Sequence, residues 1–272
     1  MKVFVAGLLD LSSVDYPKRP AAVIFTPLCN YRCPSCQNWN ILEMKPEYEK
    51  EIEDVFRFID RANPTIEAVK VTGGEPTLYP EFLKEVSKYS HSRGLLFGFD
   101  TNGFLHQVIK ELITWSDLVS LDLKASPTNP DSMEKMIGLP GKGKDIAANT
   151  LQSLEELMKH DEIYLDLRTT VIPTLNDRAH EFTSIGEILR SLNYEARASK
   201  NTASYTLQEF VPEHACDENI RRIKSPSPRV LMNLADATRL TDVYVKHRDE
   251  GFMIHKNELL YSMKRRTEKQ TV

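Results

Sequence analysis

The sequence predicts an α/β protein of parallel strands, a partial (β/α)6 TIM-like barrel. Short apolar, β-branched runs alternate with longer amphipathic stretches, the pattern of βα units feeding a parallel sheet. The alternation recurs six times in the chain, which suits an open or partial barrel better than a complete eightfold one. Polar or glycine-rich residues follow each of the predicted strands, at the strand ends where βα folds carry their chemistry.

The elements follow in order. Residues 21–26, Ala-Ala-Val-Ile-Phe-Thr, read as the first strand, and 47–61 as a helix entered through Pro46. A second strand is expected over 66–72 and a helix over 80–93. Residues 95–100 and 118–123 give the third and fourth strands, with helices near 107–115 and 146–159. The fifth strand spans 164–171 before a helix over 181–192. The sixth spans 205–210, followed by a helix near 228–239 and a short run at 243–246. One domain is expected over 1–255, with a C-terminal extension over 256–272 whose polar end, 264–272, reads as frayed.

Three cysteines fall within eight residues, Cys29-Asn30-Tyr31-Arg32-Cys33-Pro34-Ser35-Cys36. Asn30 and Pro34 suit a loop that turns back on itself. Three thiolates on one loop can hold three corners of a [4Fe–4S] cluster and leave the fourth iron open to a small molecule. Zinc is the rival, with Cys216 as the remote fourth thiolate of a tetrahedral site, although paired knuckles are absent. Buried free thiols and a disulfide framework suit the clustering and the chain length less well.

Gly73-Gly74-Glu75-Pro76 follows the second strand, where glycine lets backbone approach a ligand and Glu75 could accept from an amine. A plain turn is the bland alternative. Asp100-Thr101-Asn102-Gly103 ends the third strand, and Asp122 with Lys124 ends the fourth. Asp100 and Asp122 could hold a hard cation through oxygen, or be neutralised by Lys124. Arg168 suits a carboxylate or phosphate, or a buried ion pair. His214 follows the sixth strand in Val211-Pro212-Glu213-His214.

A net charge of −4 gives no electrostatic footprint for nucleic acid, and 41% hydrophobic residues suit a soluble protein with a sizeable core. No apolar run is long enough to span a bilayer, and the opening residues lack the length of a signal peptide's apolar region. Few cysteines, and the reduced thiols a cluster requires, point to the cytosol.

Cys29-x3-Cys33-x2-Cys36 after the first strand, with Gly73-Gly74-Glu75-Pro76 after the second, resembles the radical S-adenosylmethionine superfamily. Val14-Asp15-Tyr16-Pro17 and the run Cys29 to Pro34 further resemble its glycyl-radical-enzyme activating branch, most of all the activating proteins of anaerobic ribonucleoside-triphosphate reductase. The resemblance covers roughly residues 7–250. Two positions depart from it: Ser35 where an aromatic usually precedes the last cysteine, and Lys18 where glycine is common.

The resemblance implies that Cys29, Cys33 and Cys36 ligate a [4Fe–4S] cluster whose open iron chelates S-adenosylmethionine. It implies cofactor contacts from Gly73, Gly74, Glu75, Asn102, Lys124, Arg168 and His214, and a monovalent-cation site from Asp100, Thr101 and Asp122. The reaction implied is one-electron reductive cleavage of the cofactor, then hydrogen abstraction by a 5′-deoxyadenosyl radical from a glycine of a partner enzyme, the anaerobic ribonucleotide reductase. A flavodoxin- or ferredoxin-type protein would supply the electron. The alternatives are a radical enzyme acting on a small molecule or tRNA base, and a non-catalytic zinc or iron–sulfur protein.

Overall fold

The computed structural model describes residues 1–248 and 251–258. The architecture is α/β with a mostly parallel sheet, as the alternation predicts. The chain divides into two compact units, the first made of Met1–Arg32, Cys36–Asp122 and Asn149–Asp166, the second of Cys33–Ser35, Leu123–Ala148 and the chain from Leu167 onward. The extension expected over 256–272 lies outside the described residues from 259 onward.

In the first unit, β1 (Lys2–Phe4) precedes β2 (Gly7–Ser12) and β3 (Ala21–Thr26). β4 (Glu49–Glu51) leads into α1 (Ile52–Ala62). Then come β5 (Ala68–Gly73), α2 (Pro80–Ser92), β6 (Leu96–Thr101), α3 (His106–Leu112) and β7 (Leu118–Asp122). β3, β5, β6 and β7 are hydrogen-bonded side by side in parallel, and β2 closes the edge antiparallel to β3. Ala21 to Ile24 are fully buried, the near-continuous apolar run of a strand covered on both faces. α1 buries Ile52, Val55, Phe58, Ile59 and Ala62 on one stripe, with Glu53 and Asp54 at its positive end and Arg61 at its negative end.

The helix expected over 47–61 begins only at Ile52. Pro46 opens a single 3-10 turn, Pro46–Tyr48, and Glu49 to Glu51 then pair antiparallel with Lys2 to Phe4. Charge favours that register, because Lys2 Nζ lies 2.5 Å from Glu49 Oε1.

In the second unit, α4 (Pro130–Ile137) starts on Asn129, whose side chain accepts from the Ser132 amide, and stops at Gly138 in the left-handed region. α5 (Gly143–Leu157) and β8 (Tyr164–Val171) each contribute residues to both units. α6 (Ala179–Ser191), α7 (Tyr194–Ser199), β9 (Ala203–Glu209), α8 (Glu218–Arg221), α9 (Pro228–Ala237), β10 (Tyr244–His247) and β11 (Gly251–His255) complete it. β10 runs parallel to β9, and β11 returns antiparallel. Among the described residues no helix is long and apolar enough to cross a membrane.

Candidate active site

Register brings the carboxyl ends of three neighbouring strands level in the first unit: Thr26 lies beside Gly73, and Val71 beside Phe99. The ladder continues past the strands. Gly74 N–H donates to Thr26 O and Glu75 N–H to Leu28 O, both at 2.8 Å. A Cβ on Gly74 would sit 1.6 Å from Leu28 O, and one on Gly73, at φ +117°, 2.4 Å from Thr26 O. Only glycine fits a backbone pressed this closely onto the base of the cysteine loop.

Glu75 is 1% exposed, and its carboxylate is held by its own chain. Oε1 accepts from Thr77 N–H at 3.2 Å, Thr77 Oγ1 at 2.6 Å and Thr101 Oγ1 at 2.8 Å. Oε2 accepts from Asn102 N–H at 2.8 Å. Burial pushes the Glu75 pKa up, and the four neutral donors only partly oppose it.

Asn102 ties this turn to the cysteine loop. Its Nδ2 donates to Asn30 Oδ1 at 2.8 Å and lies 3.8 Å from Cys29 Sγ, which also receives the Tyr31 N–H at 3.4 Å. Tyr31 meets Phe104 edge to face, with ring centroids 6.2 Å apart. The structure therefore gathers Cys29, Gly73, Gly74, Glu75, Thr101 and Asn102 into one hydrogen-bonded group, with Asn30 as a member that the sequence marked only as a turn residue. Asn30 Nδ2 is buried there with no hydrogen-bond partner among the described residues.

Asp100 has a different neighbour from the one expected. Lys70, fully buried on β5, places Nζ 2.9 Å from Asp100 Oδ1 and 2.6 Å from Ser120 Oγ. Asp100 Oδ2 accepts from Thr72 Oγ1 at 2.7 Å, and Ser120 Oγ donates to Asp166 Oδ2 at 3.0 Å. Lys70 thus faces Asp100, and Thr101, third of the expected cation group, gives its hydroxyl to Glu75. The available signal was a lysine in the middle of the apolar strand Ala-Val-Lys-Val-Thr.

Lys124, Arg168 and His214 belong to the second unit. The backbone around Lys124 is fixed there, with Leu123 N–H donating to Arg168 O at 2.8 Å and Asn176 Nδ2 to Lys124 O at 3.0 Å. His214 is exposed on the turn Pro212–His214. Of the loop cysteines, Cys29 and Cys36 pack with the first unit and Cys33 with the second. All four thiols are half-buried and unbridged, and among the described residues no three His, Cys, Asp or Glu side chains converge as a metal site.

Residues 23–183 match the Radical SAM superfamily. A Methanocaldococcus jannaschii protein provisionally named a glycyl-radical enzyme activating enzyme is 31% identical over 236 residues, 86% of this chain and 91% of that one. The pyruvate formate-lyase-activating enzyme of Clostridium pasteurianum is 28% identical over 174 residues, 62% of this chain and 69% of its own. Among solved structures, a radical SAM methyltransferase from Sphaerobacter thermophilus aligns with a TM-score of 0.61 at 16% identity, over 85% of this chain and 68% of that one. QueE from Escherichia coli aligns with a TM-score of 0.52 at 14% identity, over 91% and 95%. These likenesses support the expected partial-barrel fold class. The matched family spans β3 to the start of α6 and takes in the whole hydrogen-bonded group around Glu75. This chain belongs to the radical SAM superfamily and is an enzyme of that kind.

Proposed function

We propose that this protein activates a glycyl radical enzyme, the anaerobic ribonucleotide reductase, using a [4Fe–4S] cluster and S-adenosylmethionine. The observation that carries the cofactor reading is the group at the three strand ends. It joins a cluster-type cysteine to the Gly-Gly-Glu turn through Asn102, and it keeps the buried Asn30 Nδ2 as a donor with no acceptor among the described residues. A buried orphan donor is costly unless something completes it, and the cofactor carries carboxylate and hydroxyl acceptors. The names of the relatives support the kind of partner.

In this reading Cys29, Cys33 and Cys36 hold the cluster, a donor set that fits because three thiolates leave one iron for the cofactor. When bound, the pair would supply one-electron reductive chemistry able to take hydrogen from the partner's glycine. The protein's own part is to orient and to exclude water. Backbone around Gly73 and Gly74 would hold the cofactor's amino group, while the Glu75 carboxylate would act indirectly by bracing Thr77, Thr101 and Asn102. Asn102 is assigned to the cofactor beside Asn30. Lys124, Arg168 and His214 are assigned by the resemblance alone. A flavodoxin- or ferredoxin-type protein is the reductant in this proposal.

The test is anaerobic preparation followed by reduction with S-adenosylmethionine and the reductase from the same organism. Stoichiometric iron and sulfide, 5′-deoxyadenosine, and a doublet electron paramagnetic resonance signal that collapses on deuteration of the glycine Cα are expected. Zinc in place of iron and sulfide would overturn the cofactor reading. Cleavage without a radical on the reductase, but accelerated by tRNA or a small metabolite, would overturn only the partner.

A further inference from the structure

Cys216 has no part in the reading above, yet it is turned onto the cysteine loop. Its Sγ lies 3.3 Å from the carbonyl oxygen of Cys33 and 3.2 Å from that of Pro34. A thiol is a weak donor, and here it is shared between two acceptors. The next residue adds a stronger bond, from Asp217 N–H to the same Pro34 oxygen at 3.1 Å. Proline has no N–H, so the backbone of residue 34 can be held by hydrogen bonding only through its carbonyl.

The gripping segment is itself braced. Asp217 caps α8 by accepting from Asn219 N–H at 2.7 Å and Ile220 N–H at 3.1 Å. Arg221 folds back over the turn, with Nε 2.6 Å from Ala215 O and an Nη2 contact of 3.3 Å to Cys216 O. These residues and Cys33–Ser35 all lie in the second unit, whereas the loop on either side of that tripeptide packs with the first.

We infer that Cys216 is a positioning residue for the cluster ligand Cys33: its thiol, with the Asp217 amide, holds the peptide that follows the middle cysteine, and its sulfur does not bind metal. The inference takes the cluster from the proposed function, and one arm of its test does not need it.

The variants are Cys216→Ala, which removes the donor, and Cys216→Ser, which keeps a donor but removes the sulfur. In the iron-loaded protein, anaerobic transfer of iron to a chelator should quicken about fivefold in Cys216→Ala, the worth of roughly one net hydrogen bond. Cys216→Ser should stay within about twofold of the natural protein, since a hydroxyl is the better donor. In the iron-free protein, the Asp217 amide should exchange hydrogen about fivefold faster in Cys216→Ala and not in Cys216→Ser. Equal loss of iron in both variants would identify Cys216 as a thiolate ligand and overturn the inference. An unchanged Asp217 amide in Cys216→Ala would overturn it as well. If the natural protein never binds iron and sulfide, the cofactor reading fails, and the exchange measurement still decides whether Cys216 holds the loop.

Discussion

Glu75 and Glu209 each stand at the carboxyl end of a strand and each bury a carboxylate, but they are held by different forces. Every partner of Glu75 is neutral: two hydroxyls and two backbone amides. Glu209, with its side chain 5% exposed, instead faces Arg248, whose Nε and backbone N–H both lie 2.8 Å from its oxygens. Arg248 also reaches Glu213 at 3.3 Å and Ser225 Oγ at 3.2 Å. The Glu213 backbone N–H and then the Arg248 guanidinium hold the Glu213 pKa below the usual carboxylate range. Neutral donors satisfy the Glu75 oxygens without cancelling the charge, so burial wins and its pKa rises. A guanidinium cancels charge, but Arg248 is 45% exposed and open to screening. The turn beneath the cysteine loop is thus held by short-range geometry, and the end of β9 by electrostatics that salt can weaken.

The geometric side breaks most sharply at Gly74. A Cβ placed 1.6 Å from Leu28 O forces the ends of β3 and β5 apart. Gly74→Ala should cost about 3 kcal/mol or more of unfolding free energy, read from denaturant titration. Gly94→Ala is the control, since nothing lies within 4 Å of its added methyl although φ is +72°. Its strain alone should cost about 1 kcal/mol. Equal losses at the two glycines would mean that backbone crowding does not set the Gly-Gly turn.

A pair of glutamine variants sharpens the contrast between the two carboxylates. In Glu75→Gln an amide NH2 must face either three donors or the Asn102 N–H, so one pairing is lost at about 1–3 kcal/mol. Arg248→Gln should cost less than Glu75→Gln, because the guanidinium is exposed, and the loss should shrink toward zero in 1 M salt. The Glu75→Gln loss should hardly respond to salt. pH separates them again. A raised folded pKa means that the Glu75 contribution is fully present below its ordinary value of 4.5 and is lost as pH rises through the folded value. The stability advantage of the natural protein over Glu75→Gln should therefore narrow as pH climbs above 4.5. The same salt response in both variants would erase the distinction.

What was legible in the sequence follows the range of the interactions. The bounds 21–26 and 164–171 match the observed strands to the residue, the first as a near-continuous apolar run and the second through Leu165, Leu167, Thr169 and Val171 at every other position. The start of α1 was misread because Pro46 is a good first helical residue locally, whereas Glu49 to Glu51 answer to β1, almost fifty positions away. The cysteine loop and the Gly-Gly-Glu turn stood out by spacing, but Asn30 meets Asn102 across 72 positions and Lys70 meets Asp100 from the next strand. The glycines were read as room for a ligand, and the structure shows them also making room for Leu28 and Thr26. Residue type marks such positions, while pairing belongs to the folded chain.

The smallest expected effect has the opposite sign and lies at Lys18, where the family resemblance leads one to expect glycine. Tyr16 O accepts from Arg19 N–H at 3.3 Å, closing a turn with Pro17 and Lys18 in the middle. Lys18 holds φ 63°, as the third residue of a type II turn must, and glycine takes that conformation most readily. The turn seats Tyr16, which is 5% exposed, against Ala21, Ala68 and Leu118, with its ring 5.9 Å from Lys70 Nζ. Lys18→Gly relieves about 1 kcal/mol of left-handed strain and gives part of it back through the freer unfolded chain. A net gain of about 0.5 kcal/mol is expected, visible as a rise of a degree or two in Tm for a protein of this size. Fluorescence of the tyrosines through the transition would show whether the packing of Tyr16 is kept. A loss of stability in Lys18→Gly would mean that the lysine side chain's own contacts outweigh its backbone strain, and that the departure at position 18 stabilises the fold.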